Sequence, residues 1–139
     1  MIIDYSKSEL DMLARLMRAE ALSEGEYGML LVGNVVINRA LESCYIFKNI
    51  TSITDAINQP NQFSGINSSL FQAKSTTAEK NLAKKILRGE YFYPASNALW
   101  FKAKKDNSCD SIWYNQKLSG DYKNHCFYNP DFNVCKRLH

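Results

Sequence analysis

Glu20 is the residue whose setting in this sequence is best suited to acid–base chemistry. It lies between two alanines in the segment LARLMRAEALSEGEYGMLLVGNVVINRA (13–40), inside an otherwise apolar helical pattern. An ionised carboxylate in a poorly solvated site is costly, so its pKa rises unless a partner compensates. A carboxyl group that stays protonated near neutral pH is what a general acid requires. The sequence therefore offers Glu20 as a candidate acid.

A surface or ion-paired role for Glu20 stays open on these grounds. Arg15, Arg18 or Arg39 would each be a suitable partner for its carboxylate. Glu24 follows four residues later, on the same face if the helix continues, and a like charge there also raises the pKa of Glu20. That position suits Glu24 to tune or orient the acid rather than to attack a substrate.

Histidine and cysteine offer fewer reactive centres. His125 is a candidate to orient a partner or contact a substrate, although a structural role is the commoner one for such a histidine. The neighbouring Cys126 suggests a thiol nucleophile, but adjacent residues of a strand point to opposite faces, which places this pair poorly. The four cysteines are too scattered for a zinc site, so we predict no metal. We expect buried free thiols in a reducing compartment, and one or two disulfides in an oxidising one.

Two capping boxes mark where helices should begin. Ser6 and Glu9 have the S-x-x-E spacing, and the apolar repeat after them predicts a helix to about Leu22. The stretch Thr76-Thr77-Ala78-Glu79 predicts a second such start, with Gly89 where a left-handed helix end is expected. Lys80, Lys84 and Lys85 lie between this start and Gly89, and they indicate a solvated face of the helix.

A buried central helix and a weakly β second half complete the predicted fold. Residues 27–40 are apolar on most sides, which predicts a central helix, and a short helix is expected over 53–58, followed by a loop over 59–65. Short aromatic or β-branched runs predict brief strands or ordered loops at 99–101, 112–114 and 126–128. We therefore predict an α+β fold, mainly α, forming a single domain over 1–139.

Composition narrows the classes of partner. A chain of 139 residues with a net charge of +3 lacks the strong basic tilt of a nucleic-acid binder. No apolar run approaches the roughly 20 residues of a membrane-spanning helix. The start, MIIDYSKSELDML, lacks a basic region followed by an apolar one, so we expect no signal peptide and synthesis in the cytoplasm.

Several motifs, in order along the chain, resemble the SleB/CwlJ family of cell-wall hydrolases. They are Arg18-Ala19-Glu20-Ala21, Glu24, Gly28, Gly33-Asn34-Val35, Ile37-Asn38-Arg39, Gln59-Pro60, Phe63 and Leu99-Trp100-Phe101. The runs 113–116 and 125–128 are more similar to the CwlJ branch than to SleB, whereas the loop 61–65 is closer to SleB.

The resemblance implies a lysozyme-like fold with a small β element beside a substrate groove. It implies cleavage of the glycan strands of spore-cortex peptidoglycan during germination, with Glu20 as the essential acid. Glu24 is expected to support the acid, and the residues expected at the groove are Gln62, Phe63, Ser64, Trp113, Tyr114, Asn115 and His125. Asn34, Asn38 and Arg39 are interpreted as buried hydrogen-bonding residues that hold the Glu20 helix.

The reaction type is left open between related possibilities. A two-carboxylate glycosidase needs a second acid, and no obvious one is present, with Glu26 a weaker candidate than Glu24. Lytic transglycosylation is therefore the preferred hypothesis; a hydrolytic muramidase or glucosaminidase and a catalytically silent wall-binding or coat module are the alternatives.

The resemblance also carries expectations about place and partners. It implies deposition at the boundary of spore coat and cortex from the mother-cell cytoplasm, through a coat-anchoring protein. It implies activation by calcium dipicolinate, with no resident cofactor.

Overall fold

The first helix begins where its capping box predicts. In the computed structural model, which describes residues 3–41, 47, 49–59 and 62–131, the Ser6 hydroxyl accepts the Glu9 N–H and the Glu9 carboxylate accepts the Ser6 N–H. Helix α1 then runs over Lys7–Ala21. A 3₁₀ turn over Leu22–Glu24 separates it from the next helix.

Helix α2, Gly25–Leu41, is the central helix of the fold, as predicted. Its residues from Gly28 to Ala40 are buried without interruption, because α1 and the short helices pack on one side of it and the sheet lies on the other. Leu31 and Val35 contact the sheet side through Phe127. A helix that is apolar all round is therefore one that is enclosed all round.

The remaining helices surround α2. Helix α3 spans Ile53–Ile57 and is capped by Ser52, helix α4 spans Ser69–Gln72, and helix α5 spans Thr77–Leu87 behind its predicted capping box. Gly89 has a φ of 91°, the left-handed conformation expected after α5. A 3₁₀ turn, Ser64–Asn67, occupies part of the segment predicted as a loop, and α4 was not predicted. No helix in the described ranges has the length and apolarity needed to cross a membrane.

The second half folds into one antiparallel sheet. Its strands are β1 Trp100–Ala103, β2 Ile112–Trp113, β3 Gln116–Tyr122 and β4 His125–Asn129, in the order β1-β4-β3-β2. The predicted brief strands are confirmed, and β3 is the strand that the prediction lacked. Tyr114 and Asn115 connect β2 to β3 with φ values of 49° and 68°, a pair of left-handed residues typical of a tight hairpin turn.

Polar side chains on α2 attach the segment that leads into β1. Asn34 bonds to the backbone of Glu90 and Phe92 in both directions, and the Arg39 Nε donates to the carbonyl of Leu99 over 2.6 Å. Asn38 donates to three carbonyls of the same segment. These residues are buried, as predicted, but the prediction that they hold the Glu20 helix is wrong. They bind the 90–99 segment because α2 lies between α1 and the sheet.

Replacement of Asn38 by alanine tests this attachment. Asn38 is fully buried and bonds to Ala95, Ser96 and Ala98, so Asn38→Ala leaves carbonyls without donors. We expect a loss of about 1–3 kcal/mol in the free energy of unfolding, measured by urea denaturation. Asn81→Ala, at an exposed position of α5, is the matched control and should change stability by less than about 0.5 kcal/mol. Equal losses in both variants would contradict the attachment.

Candidate active site

Glu20 lies at the end of α1, where its carboxylate meets the backbone of a neighbouring turn. The Gly65 N–H donates to Glu20 Oε2 over 3.0 Å. A Cβ at position 65 would come within 2.7 Å of that oxygen and 2.9 Å of the Ala19 Cβ, so this approach requires glycine. The side chain is half-buried, and one of its oxygens is held by the protein.

Burial dominates the ionisation of Glu20. It raises the pKa of this carboxyl above its ordinary value, and the Gly65 N–H and the charge of His125 oppose the rise without cancelling it. The candidate arginines bond elsewhere. Arg15 pairs with Asp11 at 3.0 Å, Arg18 with Glu79 at 2.8 Å, and Arg39 donates to Gln59, Gln62 and the Leu99 carbonyl. The predicted perturbed carboxyl is therefore present in the structure.

Glu24 faces a different part of the molecule from Glu20. The condition under which both would share one helix face is not met, because α1 ends at Ala21 and a 3₁₀ turn follows. Glu24 is only 5% exposed, and its Oε1 lies 2.6 Å from His125 Nδ1 while its Oε2 accepts the Asn124 N–H at 2.9 Å. Glu24 thus fixes the start of β4 and the orientation of the His125 ring.

The first cavity, of about 610 Å³, opens between the end of α1, the Ser64–Asn67 turn and the sheet. Its lining includes five of the residues singled out from the sequence: Glu20, Gln62, Phe63, Ser64 and His125. The described residues that line it without having been predicted are Ala19, Ile66, Asn67, Phe101, Lys102 and Ala103. Among all of these, Glu20 is the sole carboxylate. Strand β1 forms a wall of this cavity that the sequence did not predict, because a four-residue segment does not show which strand it pairs with.

A second cavity, of about 340 Å³, adjoins the first. It is lined by Arg39, Gln62, Trp100, Phe101, Trp113, Tyr114 and Gln116. Gln62 and Phe101 line both spaces, so the two cavities are neighbours that share part of their lining. The predicted groove residues Trp113 and Tyr114 thus lie in this second part. Asn115, in the turn beside them, is not among the lining residues of either cavity.

Cys126 is not available as a nucleophile in this structure. It forms a disulfide with Cys109, with the two Cα atoms 5.8 Å apart, and it is fully buried. Of the two alternatives expected for the cysteines, this pair shows the disulfide. Cys44 and Cys135 lie outside the described residues. His125 and Cys126 do face opposite ways, as expected for neighbours in a strand. Within the described ranges, no three metal-binding side chains form a cluster.

Comparison with known proteins identifies the family. A profile of the Cell Wall Hydrolase family matches residues 23–128. The chain belongs to the cell wall hydrolase family. The cell wall hydrolase CwlJ of Oceanobacillus iheyensis is 42% identical over 138 residues, which are 99% of this chain and 97% of that protein. The predicted family is thereby confirmed, and so is the prediction of an enzyme that acts on peptidoglycan. Glu20 lies just outside the range that the profile matches but inside the range aligned with CwlJ.

Solved structures show the same fold for this cell wall hydrolase. The catalytic domain of Bacillus cereus SleB has a TM-score of 0.71 at 20% identity and covers 91% of this chain and 93% of that one. The catalytic domain of the germination-specific lytic transglycosylase SleB from Bacillus anthracis has a TM-score of 0.69 at 21% identity, with 90% and 97% covered. The predicted lysozyme-like α+β fold is confirmed.

Glu20→Gln tests the energetic consequence of burying this acid. The pKa of Glu20 in the folded protein lies above its ordinary value of 4.5. The stability that this group contributes is therefore fully present below pH 4.5 and is lost as pH rises through the folded-state pKa. We therefore expect Glu20→Gln to unfold at a higher temperature than the parent at pH 7, with the difference vanishing below pH 4.5. Thermal unfolding across pH measures this, with the exposed Glu26→Gln as control. A parent that is the more stable at pH 7 would contradict it.

Proposed function

We propose that this enzyme cleaves the glycan strands of spore-cortex peptidoglycan, with Glu20 as the general acid. The observation that carries the proposal is a half-buried carboxyl of raised pKa on the wall of a 610 Å³ cavity. Such a group stays protonated closer to neutral pH than an exposed glutamate, which is the state that protonates a leaving oxygen. The CwlJ and SleB names of the relatives support the substrate class.

The first chemical step breaks the glycosidic bond that follows N-acetylmuramic acid. Glu20 transfers its proton to the glycosidic oxygen, the C1–O bond breaks, and positive charge develops at C1 in an oxocarbenium-like transition state. Gly65 donates to Oε2, which favours the proton on Oε1, and it stabilises the carboxylate once the proton has left. Glu20 is then an anion beside a cationic sugar centre.

The second step uses the same carboxylate as a base. Glu20 takes the proton of the muramic C6 hydroxyl while that oxygen attacks C1, which gives a 1,6-anhydro end and restores the protonated acid. Two-carboxylate glycosidases place a second acid about 5–9.5 Å from the first. Among the described lining residues no second carboxylate is present, since Glu24 is bonded behind His125 and Glu26 is exposed. This supports transglycosylation, the activity named for the Bacillus anthracis neighbour.

His125 acts in this scheme through its fixed ring. Because Nδ1 lies 2.6 Å from Glu24 Oε1, Nε2 is the ring nitrogen left to form a hydrogen bond with a sugar hydroxyl. The ring also packs edge-on against Phe101 at a centroid distance of 5.4 Å, which fixes its plane. His125 therefore binds and orients the sugar, and Glu24 positions His125.

Biological placement follows the family resemblance. We propose that the enzyme acts in the spore, at the boundary of coat and cortex, where a coat protein retains it after synthesis in the mother cell. Activation by calcium dipicolinate also stays a prediction, and adding the chelate to the purified enzyme during cortex digestion tests it.

Digestion of cortex fragments by Glu20→Gln tests the assignment of the acid. The substitution keeps the shape and removes the transferable proton, so we expect activity to fall by at least about 10²-fold while binding of the fragments persists. Glu26→Gln, an exposed carboxylate nearby, should retain full activity. Activity retained in Glu20→Gln would end the assignment.

Mass spectrometry of the parent digest identifies the reaction. Anhydro-muramic ends indicate transglycosylation, whereas reducing ends indicate hydrolysis. Released stem peptides would indicate an amidase instead, and binding without any cleavage would indicate a silent wall-binding module.

Glu24→Gln tests the positioning of His125. The new amide would donate to Nδ1, which moves the ring proton to Nε2 and changes the group offered to the sugar. We expect kcat to fall by as much as about 10²-fold with KM little changed. Steady-state kinetics on cortex fragments measures both. A change confined to thermal stability would show that Glu24 is structural only.

A further inference from the structure

The edge of the sheet forms one wall of the first cavity. Strand β1 comes first in the order β1-β4-β3-β2, so within the sheet it pairs with β4 on one side only. Three of its four residues, Phe101, Lys102 and Ala103, line the 610 Å³ cavity that Glu20 also lines. An edge strand presents a row of backbone N–H and C=O groups to which an extended chain can bond. A strand edge therefore faces the space beside the acid.

Alternation along β1 shows which of its backbone groups point away from β4. The Lys104 N–H donates to the Asn124 carbonyl over 2.8 Å, so the backbone of Lys104 points towards β4. Because this direction alternates along a strand, Lys102 also bonds towards β4, whereas the N–H and C=O of Phe101 and Ala103 point away. Within the described ranges, no hydrogen bond from outside the sheet reaches these four groups. Two donors and two acceptors are therefore offered at residues that line the cavity.

The length of this edge fits a short peptide better than a strand of another protein. Phe101 and Ala103 lie two positions apart, which is about 7 Å along a strand. One ligand residue can exchange two hydrogen bonds with either of them, and its neighbours reach the other. Strands in globular proteins have about 5–6 residues, and this edge offers two outward positions inside an enclosed space. An extended ligand of one to three residues covers it.

Lys102 supplies a positive charge at the same wall. Among the described residues that line the cavity, it is the sole lysine or arginine. Its ammonium pairs with Asp110 over 3.2 Å, but the Asp110 side chain is 68% exposed, and an ion pair so open to water is weak. A carboxylate on a ligand can therefore share Lys102 with Asp110 or replace it. The wall thus suits an extended peptide that carries a carboxylate.

We propose that the edge of β1 binds the short acidic peptide that muramic acid carries on its lactyl group. This inference rests on the proposed function, because it takes muramic acid as the sugar beside Glu20. The lactyl carbonyl and the N–H and C=O of the first peptide residue form the extended run that bonds to Phe101 and Ala103. The free α-carboxylate of the second residue, a D-glutamate, pairs with Lys102. A muramic acid that carries the peptide then binds more tightly than the bare sugar.

Derivatives of N-acetylmuramic acid that differ only in the peptide test this subsite. The probes carry L-alanyl-D-glutamate, L-alanyl-D-isoglutamine or a methylamide on the lactyl group. Each is titrated into isotope-labelled protein at pH 7, and Kd is obtained from the shifts of the amide resonances. We expect the D-glutamate probe to bind best, the isoglutamine probe about threefold more weakly because its α-carboxylate is an amide, and the methylamide at least about tenfold more weakly.

Ala103→Pro removes one outward donor and leaves the pairing of β1 with β4 in place. Proline is tolerated on an edge strand where its missing N–H would face away from the neighbouring strand. We expect Kd for both peptide probes to rise about threefold to tenfold, and Kd for the methylamide to change less than about twofold. Ala103→Gly keeps the N–H and is the matched control, which should retain the gain from the peptide. Lys102→Gln should remove the difference between the D-glutamate and isoglutamine probes.

Amide hydrogen exchange on the parent protein gives a second measurement that serves if Ala103→Pro does not fold. With the D-glutamate probe at saturation, exchange of the Phe101 and Ala103 N–H groups should slow by at least about tenfold. The N–H groups of Lys102 and Lys104 point towards β4, so their exchange should not change.

The outcomes separate this inference from the proposed function. Equal Kd values for the three probes, or unchanged exchange at Phe101 and Ala103, overturn the subsite even if the parent cleaves cortex. A gain from the peptide that Ala103→Pro abolishes supports the subsite even if Glu20→Gln retains activity. The sugar-free peptide N-acetyl-L-alanyl-L-glutamate completes the set. If it bound as tightly as the D-glutamate probe, the edge would be a site for a protein strand, and the assignment to muramic acid would be wrong.

Discussion

The buried carboxylate of Glu24 joins the two halves of this molecule. It leaves the turn between α1 and α2 and bonds at once to a backbone N–H and a side-chain nitrogen at the start of β4. A buried carboxylate must be bonded on both oxygens to be tolerated, so the sheet is drawn to a defined position over the end of α1. The groove exists because this position leaves space between His125 and Glu20. Gly28, whose Cβ would lie 2.6 Å from the Glu24 Cβ, leaves room for the arrangement.

Glu20 and Glu24, four residues apart, therefore have different roles. Both carboxylate oxygens of Glu24 are hydrogen-bonded to the start of β4. Glu20 has one oxygen bonded to the Gly65 N–H and lines a cavity. The 3₁₀ turn over Leu22–Glu24 makes this division possible, since an uninterrupted helix would have stacked both carboxylates on one face. Like charges at that spacing destabilise a helix by about 0.2–0.5 kcal/mol.

The helical half could be predicted from the sequence because its signals are local. Capping boxes and apolar periodicity placed α1 and α5 to within a residue or two, and the all-round apolar run placed α2 at the centre. The sheet was harder, because pairing between β1 and β4 joins residues far apart in sequence and β3 carries glycine and charges. For the same reason Glu20 was identifiable from its neighbours, whereas Phe101, Lys102 and the bond from Glu24 to His125 depend on contacts that no local pattern encodes. The end of α1 was predicted at about Leu22, one residue past Ala21, but the 3₁₀ turn that follows was not predicted.

The Cys109–Cys126 disulfide makes one wall of the groove, but not the other, sensitive to reducing conditions. It closes a loop of 17 residues that contains β2 and β3, and removal of such a link costs about 3 kcal/mol in the chain-entropy view. Cys126 follows His125 directly, and the loop carries Trp113 and Tyr114, so a reducing environment loosens the aromatic wall first. The wall that carries Glu20 and Gly65 has no covalent tie to this bridge. One side of the groove therefore carries a covalent cross-link, whereas the other is held by helix packing and by the hydrogen bond from Gly65 to Glu20.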